Sequence, residues 1–137
     1  MRELSFTVSG TPIAKGRPRF SMRGGVPRAY TPDRTDAWEE QIAWAAKSAG
    51  ALPSDSPCRV MFIATFVVPA SWGKKKALDA LQGHRKYAIR PDIDNLYKCL
   101  DALNGIAWKD DAQVYSIMAE KRYGLDPGLS VTIVYDA

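Results

Sequence analysis

Residues 90–114 read RPDIDNLYKCLDALNGIAWKDDAQV. Ile93, Leu96, Leu100 and Leu103 recur at the 3.6-residue period of a helix and make one apolar stripe. Asp94, Lys98 and Asp101 fall at i, i+4 and i+7 on the opposite side. Asn104-Gly105 supplies a stop signal, so the spacing predicts a helix over 93–103 with Asp92 just before its first turn. Upstream, the β-branched and aromatic run VMFIATFVV at 60–68 predicts a central strand ended by Pro69. Between the two, 71–81 predicts a helix with a basic face and 84–91 an irregular stretch. Downstream, 113–122 and 129–135 predict two strands joined by a turn that holds Gly124, Asp126, Pro127 and Gly128. Toward the N-terminus, 4–8 alternates as a strand does, and 10–32 is a long Gly-, Pro- and Arg-rich loop of the kind that often carries function. Thr31-Pro32-Asp33 opens a helix through Trp38, Ile42 and Ala45 or Ala46, closed by Gly50. These elements predict one α+β domain over 1–137, a mixed sheet of about four strands against two or three helices.

The chain has 137 residues, 46% hydrophobic and 25% charged, the balance of a globular protein that builds its own core. No apolar run has the length of a membrane span, and the start lacks the layout of a secretory signal, so a cytoplasmic protein is expected. Cys58 and Cys99 have neither metal-type nor redox-type spacing and read as reduced core residues. Trp38, Trp44 and Trp108 also read as core. Trp72, beside a lysine triplet, is the best candidate for stacking on a base.

The net charge of +4 says less than its distribution. Six Lys or Arg against one Glu occupy 1–28, and six against one Asp occupy 74–90. Over 91–111 the sign reverses, with five Asp against two Lys. An acidic cluster between basic stretches suits an enzyme that carries a divalent metal to a polyanion. Asp92 and Asp94 lie two residues apart at a helix start, and Asp110 or Asp111 would add a third carboxylate. Such a set repels itself unless a cation neutralises it. Mg²⁺ takes oxygen ligands and keeps several waters, so a few carboxylates and a substrate phosphate suffice. Lys98 would set its ammonium on the phosphate or on developing charge. Each feature also has an ordinary reading. Asp92 can cap the helix, Asp94 and Lys98 can pair on a wet face, and Asp110-Asp111 can be a turn.

The segment resembles the RusA family of Holliday-junction resolvases. Its pattern is present in Asp92, Asp94, Asn95, Leu96 and Lys98, then Asp101, Ala102 and Leu103, then Trp108, Asp110, Asp111, Ala112, Gln113 and Val114. The N-terminal Pro12 and Lys15-Gly16-Arg17-Pro18-Arg19 resemble one branch of the family, and Lys121 falls on a family lysine. Pro91 stands where some members carry Arg, with Arg90 one step earlier. The resemblance implies a homodimer that binds four-way DNA junctions and nicks paired strands with Mg²⁺ or Mn²⁺. Asp92, Asp94 and Asp111 would be the metal ligands and Lys98 the catalytic lysine. DNA contacts are expected from Lys15, Arg17, Arg19, Lys74, Lys75, Lys76, Arg90 and Lys121. Asp101 and Asp110 receive no assigned role, and His84 reads as incidental. Two alternatives stand beside this: a non-catalytic branched-DNA-binding protein, and a metal nuclease acting on flaps or linear duplex.

Overall fold

A computed structural model describes residues 2–15, 19–21, 28–30 and 33–137. Four strands form the main sheet in the order β1-β6-β4-β5: β1 (Arg2–Ser9), β4 (Cys58–Val67), β5 (Val114–Gly124) and β6 (Gly128–Tyr135). The β1–β6 and β6–β4 pairs are antiparallel and the β4–β5 pair is parallel, so the sheet is mixed. Three helices, α1 (Asp33–Ser48), α2 (Lys74–Leu81) and α3 (Ile93–Tyr97), complete the α+β arrangement. None of the described helices is long and apolar enough to cross a membrane.

Alternation decides which face of the sheet is covered. Val60, Phe62, Ala64 and Phe66 of β4 are buried, as are Leu129, Val131, Ile133 and Tyr135 of β6 and Leu4, Phe6 and Val8 of β1. On the other face Met61 and Val67 are exposed, and Ser5 and Thr132 share a hydroxyl hydrogen bond across the strands. The apolar run at 60–68 is thus covered on one side only. Trp38, Ile42 and Ala46 of α1 close the core together with Leu96, Cys99, Leu100 and Leu103.

Parallel neighbours need a long crossover, and 68–113 is that connection between β4 and β5. It carries α2, the 82–91 strap, α3 and the acidic residues, so the candidate site is built on the crossover.

Two expectations need correction. The stretch 10–32 is not wholly irregular: β2 (Arg19–Ser21) and β3 (Arg28–Tyr30) pair antiparallel within it. Their high Gly, Pro and Arg surroundings hide the strand-forming Phe20 and Tyr30. The helix expected over 93–103 is α-helical only as α3 and continues as a 3₁₀ segment, Lys98–Leu103. Residues three apart eclipse in a 3₁₀ turn, so Leu100 and Leu103 share one buried face. Asp94, Lys98 and Asp101 are all exposed, and Lys98 and Asp101, three apart, share a face of the 3₁₀ turn, so the expected polar side opposite the leucines is kept. Asn104 and Gly105, at φ +78°, end the segment as the sequence predicts.

Among the tryptophans, Trp38 and Trp108 are buried, but Trp44 is 72% exposed, contrary to its reading as core. Both cysteines are free and buried, and the Cys99 thiol donates to the Ile13 carbonyl at 3.0 Å.

Candidate active site

Asp92 occupies the N-cap position of α3, with extended backbone at φ −67° and ψ 141°, but its side chain makes no capping hydrogen bond. Only its carbonyl is engaged, by the Leu96 amide at 3.1 Å. The ordinary reading of Asp92 as a cap therefore fails. Asp94 lies in the first turn, exposed. The ordinary reading of Asp94 also fails, since the Lys98 ammonium sits on Asn95 Oδ1 at 3.3 Å instead of pairing with Asp94. Among the described residues, neither Asp92 nor Asp94 belongs to an ion pair. Among the described residues, two carboxylates without an ion-pair partner thus stand at one helix start, where backbone N–H groups favour negative charge.

The doublet Asp110-Asp111 divides. Asp110 caps a short 3₁₀ turn, Asp111–Gln113, by accepting from the Ala112 amide at 2.9 Å. Gln113 Oε1 accepts from the Lys109 and Asp110 amides at 3.0 and 2.9 Å. Its amide nitrogen donates to the Ser54 and Ser56 carbonyls at 2.7 and 3.0 Å. Buried Trp108 donates its indole N–H to Asn104 Oδ1 at 2.8 Å. Trp108, Asp110 and Gln113 therefore act as a frame that leaves Asp111 exposed. The Asp111 carboxyl is held above the usual carboxylate range. The main cause is a hydrogen bond shared with the Asp110 side chain; partial desolvation and the charges of Asp110 and Asp101 add to it, while an Asn104 hydrogen bond opposes it. Tyr97 of α3 feels this cluster: burial first, and then the nearby charges of Cys58, Asp111 and Asp101, push its hydroxyl up to about 12.

Asp92, Asp94 and Asp111 are not gathered around one point. Among the described residues no three Asp, Glu, His or Cys side chains are spaced to enclose a metal ion. The donor set nevertheless fits Mg²⁺, which is usually held by one or two carboxylates with water and substrate phosphate rather than by an all-protein cage.

The basic residues fall into two groups. Lys74, Lys75 and Lys76 form the exposed first turn of α2, which has no acidic residue and no side-chain cap. Cations there oppose the helix dipole, so local helix stability does not account for them. Arg90 is exposed. Lys15 is engaged within the chain, its ammonium bridging Asp101 at 3.1 Å and Glu39 of α1 at 3.4 Å. Burial works against the Lys15 charge, but the two carboxylates outweigh it and raise its pKa. Lys121 of β5 is engaged too, donating to the Ile89 and Pro91 carbonyls at 2.7 and 3.0 Å. Arg17 lies outside the described residues, as does the side chain of Arg19. Trp72 is not open for base stacking: Lys76 and Arg85 lie 4.2 and 5.3 Å from its ring centre, and Tyr123 packs against it. His84 is exposed on the turn after α2.

Arg85, Lys86 and Arg122 were not singled out by the sequence. With Tyr87, Lys121 and Tyr123 they line a cleft of about 260 Å³ beside α2. Glu39, the partner of Lys15, left no signal in the sequence, being one of several charges on a wet-looking helix.

The sequence profile of the family described as Endodeoxyribonuclease RusA matches residues 9–134. The chain belongs to the RusA family. Its polymer partner is accordingly DNA and its class of activity that of an endodeoxyribonuclease. It is also 32% identical over 138 residues to "Uncharacterized protein YqaN" of Bacillus subtilis (strain 168), an alignment covering 95% of this chain and 94% of that protein. Within the RusA pattern of this chain, Asn104, Trp108, Asp110 and Gln113 build the scaffold. Among the described residues Asp92 makes no cap and neither it nor Asp94 an ion pair, while exposed Asp111 shares hydrogen bonds with Asp110 and Asn104.

Proposed function

We propose that this RusA-family chain is a Mg²⁺-dependent endonuclease that resolves four-way DNA junctions by paired nicks, working as a homodimer in recombination and repair in the cytoplasm. The supporting observation is the unspent Asp92 carboxylate: it holds a cap position without capping. Asp92 and Asp94 would hold Mg²⁺ (or Mn²⁺), with Asp111 as the third ligand. When bound, the metal supplies Lewis-acid polarisation of the scissile phosphate and a more acidic water. Lys98, oriented by Asn95, would place positive charge where the phosphate gains negative charge. Lys74, Lys75, Lys76 and Arg90 would meet DNA phosphates, contacts that add affinity without reading sequence. Lys15, Arg17 and Arg19 complete the proposed basic surface. A twofold dimer would present two equal sites to a junction of near twofold symmetry.

The test is a Mg²⁺ titration of cleavage on labelled junction, flap and linear duplex, with Asp94→Asn as control. Metal-dependent nicking at symmetric junction positions, lost in Asp94→Asn, is expected. An intact junction at every Mg²⁺ concentration would make the chain a DNA binder without catalysis. Preferred cutting of flaps or duplex would reassign the substrate.

A further inference from the structure

The strap ahead of Asp92 is held at three successive carbonyls. Lys121 of β5 donates one ammonium proton to Ile89 O at 2.7 Å and another to Pro91 O at 3.0 Å. Between them, the Tyr87 hydroxyl donates to Arg90 O at 2.9 Å. Tyr87 is itself fixed, stacked on Phe66 at 4.2 Å and tilted against Tyr123 at 4.9 Å. The Lys121 ammonium lies 5.3 Å from the Tyr87 ring centre, so the two anchors support each other. Lys121 pairs in register with Ala64 of β4, on the covered face of the sheet. No regular element spans 82–92; the run from Pro91 into α3 is irregular until Ile93.

We infer that Lys121 is a positioning residue for the acidic site: it ties Ile89 and Pro91 to the sheet and thereby sets where Asp92 and Asp94 stand. The inference rests on the proposed metal site and deepens it. A lysine with two backbone acceptors spends charge and donors on the chain itself, and a peptide carbonyl without a backbone partner takes such a donor. An irregular strap has no ladder of its own to supply it. Asp92 begins one residue past the second anchor, and the first amides of α3 then close on it. Leu96 N–H bonds Asp92 O, and Lys98 N–H bonds Asp94 O. Partners behind a metal ligand set its aim and so its affinity.

The test uses the full chain and Lys121→Met, which keeps the stem and removes the ammonium. In metal-free protein, hydrogen exchange at the Leu96 and Lys98 amides should quicken about tenfold, with the β6 amides unchanged. Mn²⁺ binding followed by its electron paramagnetic signal should weaken about tenfold, and Lys121→Arg should recover most of it. Should Lys121→Met not fold, the polar, shorter Lys121→Gln is read in the same way. Unchanged exchange at Leu96 and Lys98 would overturn the inference. So would weaker metal-free junction binding with unaltered Mn²⁺ affinity, which would make Lys121 a phosphate contact. Asp92→Asn separates the two ideas: if it binds Mn²⁺ like the unmodified chain, the metal-site reading has failed. The amide exchange result still decides the anchor.

Discussion

Two short acidic stretches, Asp92-Ile93-Asp94 and Asp110-Asp111, look alike as sequence and differ in use. At the first, the N-cap carboxylate makes no cap and, among the described residues, the next one has no cationic partner. At the second, Asp110 is committed to a capping box with Gln113, while exposed Asp111 shares a hydrogen bond with Asp110 and takes another from Asn104. The contrast teaches that a carboxylate's availability depends on which backbone amides and cations lie within reach, not on its type or spacing. Among the described residues, local structure commits Asp110, holds Asp111 in part and leaves Asp92 and Asp94.

The largest effects should separate these roles. Asp92→Asn, Asp94→Asn and Asp111→Asn are each expected to lower junction cleavage by about 10³-fold or more, the scale on which catalytic groups matter. Junction binding in gel shifts should persist or tighten, since negative charge facing DNA is lost. Asp110→Asn should stay within about twofold of full activity, because Asn caps as well as Asp. Equal loss in Asp110→Asn and Asp111→Asn would erase the contrast.

Next in size, Gln113→Ala removes the side chain that holds four backbone groups of the Asp111 frame. It should destabilise the fold by about 2 kcal/mol in urea melts, and cleavage should fall more than junction binding. A stable variant with full cleavage would show that the frame does not aim Asp111.

A smaller contrast concerns the lysines. Lys75→Ala should lower the slope of log affinity against log salt by about one unit. Lys15→Ala should change that slope less, because its ammonium is already paired with Asp101 and Glu39. Equal slope changes would mean that Lys15 leaves its carboxylates for DNA.

The smallest effect lies beside the second acidic stretch. Tyr97 is pushed from its ordinary 10.0 up to about 12, first by burial and then by charges that include Asp111 and Asp101. A raised value favours the protonated hydroxyl in the folded chain. That stability is full below pH 10.0 and is lost as pH climbs toward about 12. Unfolding midpoints followed over this range should fall less steeply for Tyr97→Phe; superimposable curves would remove Tyr97 from the alkaline transition.

Most of the element order was legible in the sequence because it is written in short periods. Leu96, Leu100 and Leu103 announce a buried stripe, the 60–68 run a strand, and Asn104-Gly105 a stop. The RusA pattern over 92–114 was legible for the same reason: its residues lie in two short windows. The strap anchor was not. Lys121 meets carbonyls about thirty residues away, and no local spacing records such partners.

By itself the sequence determined an α+β chain with a helix start rich in carboxylates between basic stretches, since helix and strand periods are local properties. Only the tertiary structure decided that β4 and β5 run parallel, that 98–103 tightens to 3₁₀, that Asp110 caps while Asp111 stays exposed, and that Lys15 and Lys121 turn inward. Those outcomes depend on which donors and acceptors distant segments bring within about 3 Å of one another, a distance that exists only once the sheet and its crossover have closed.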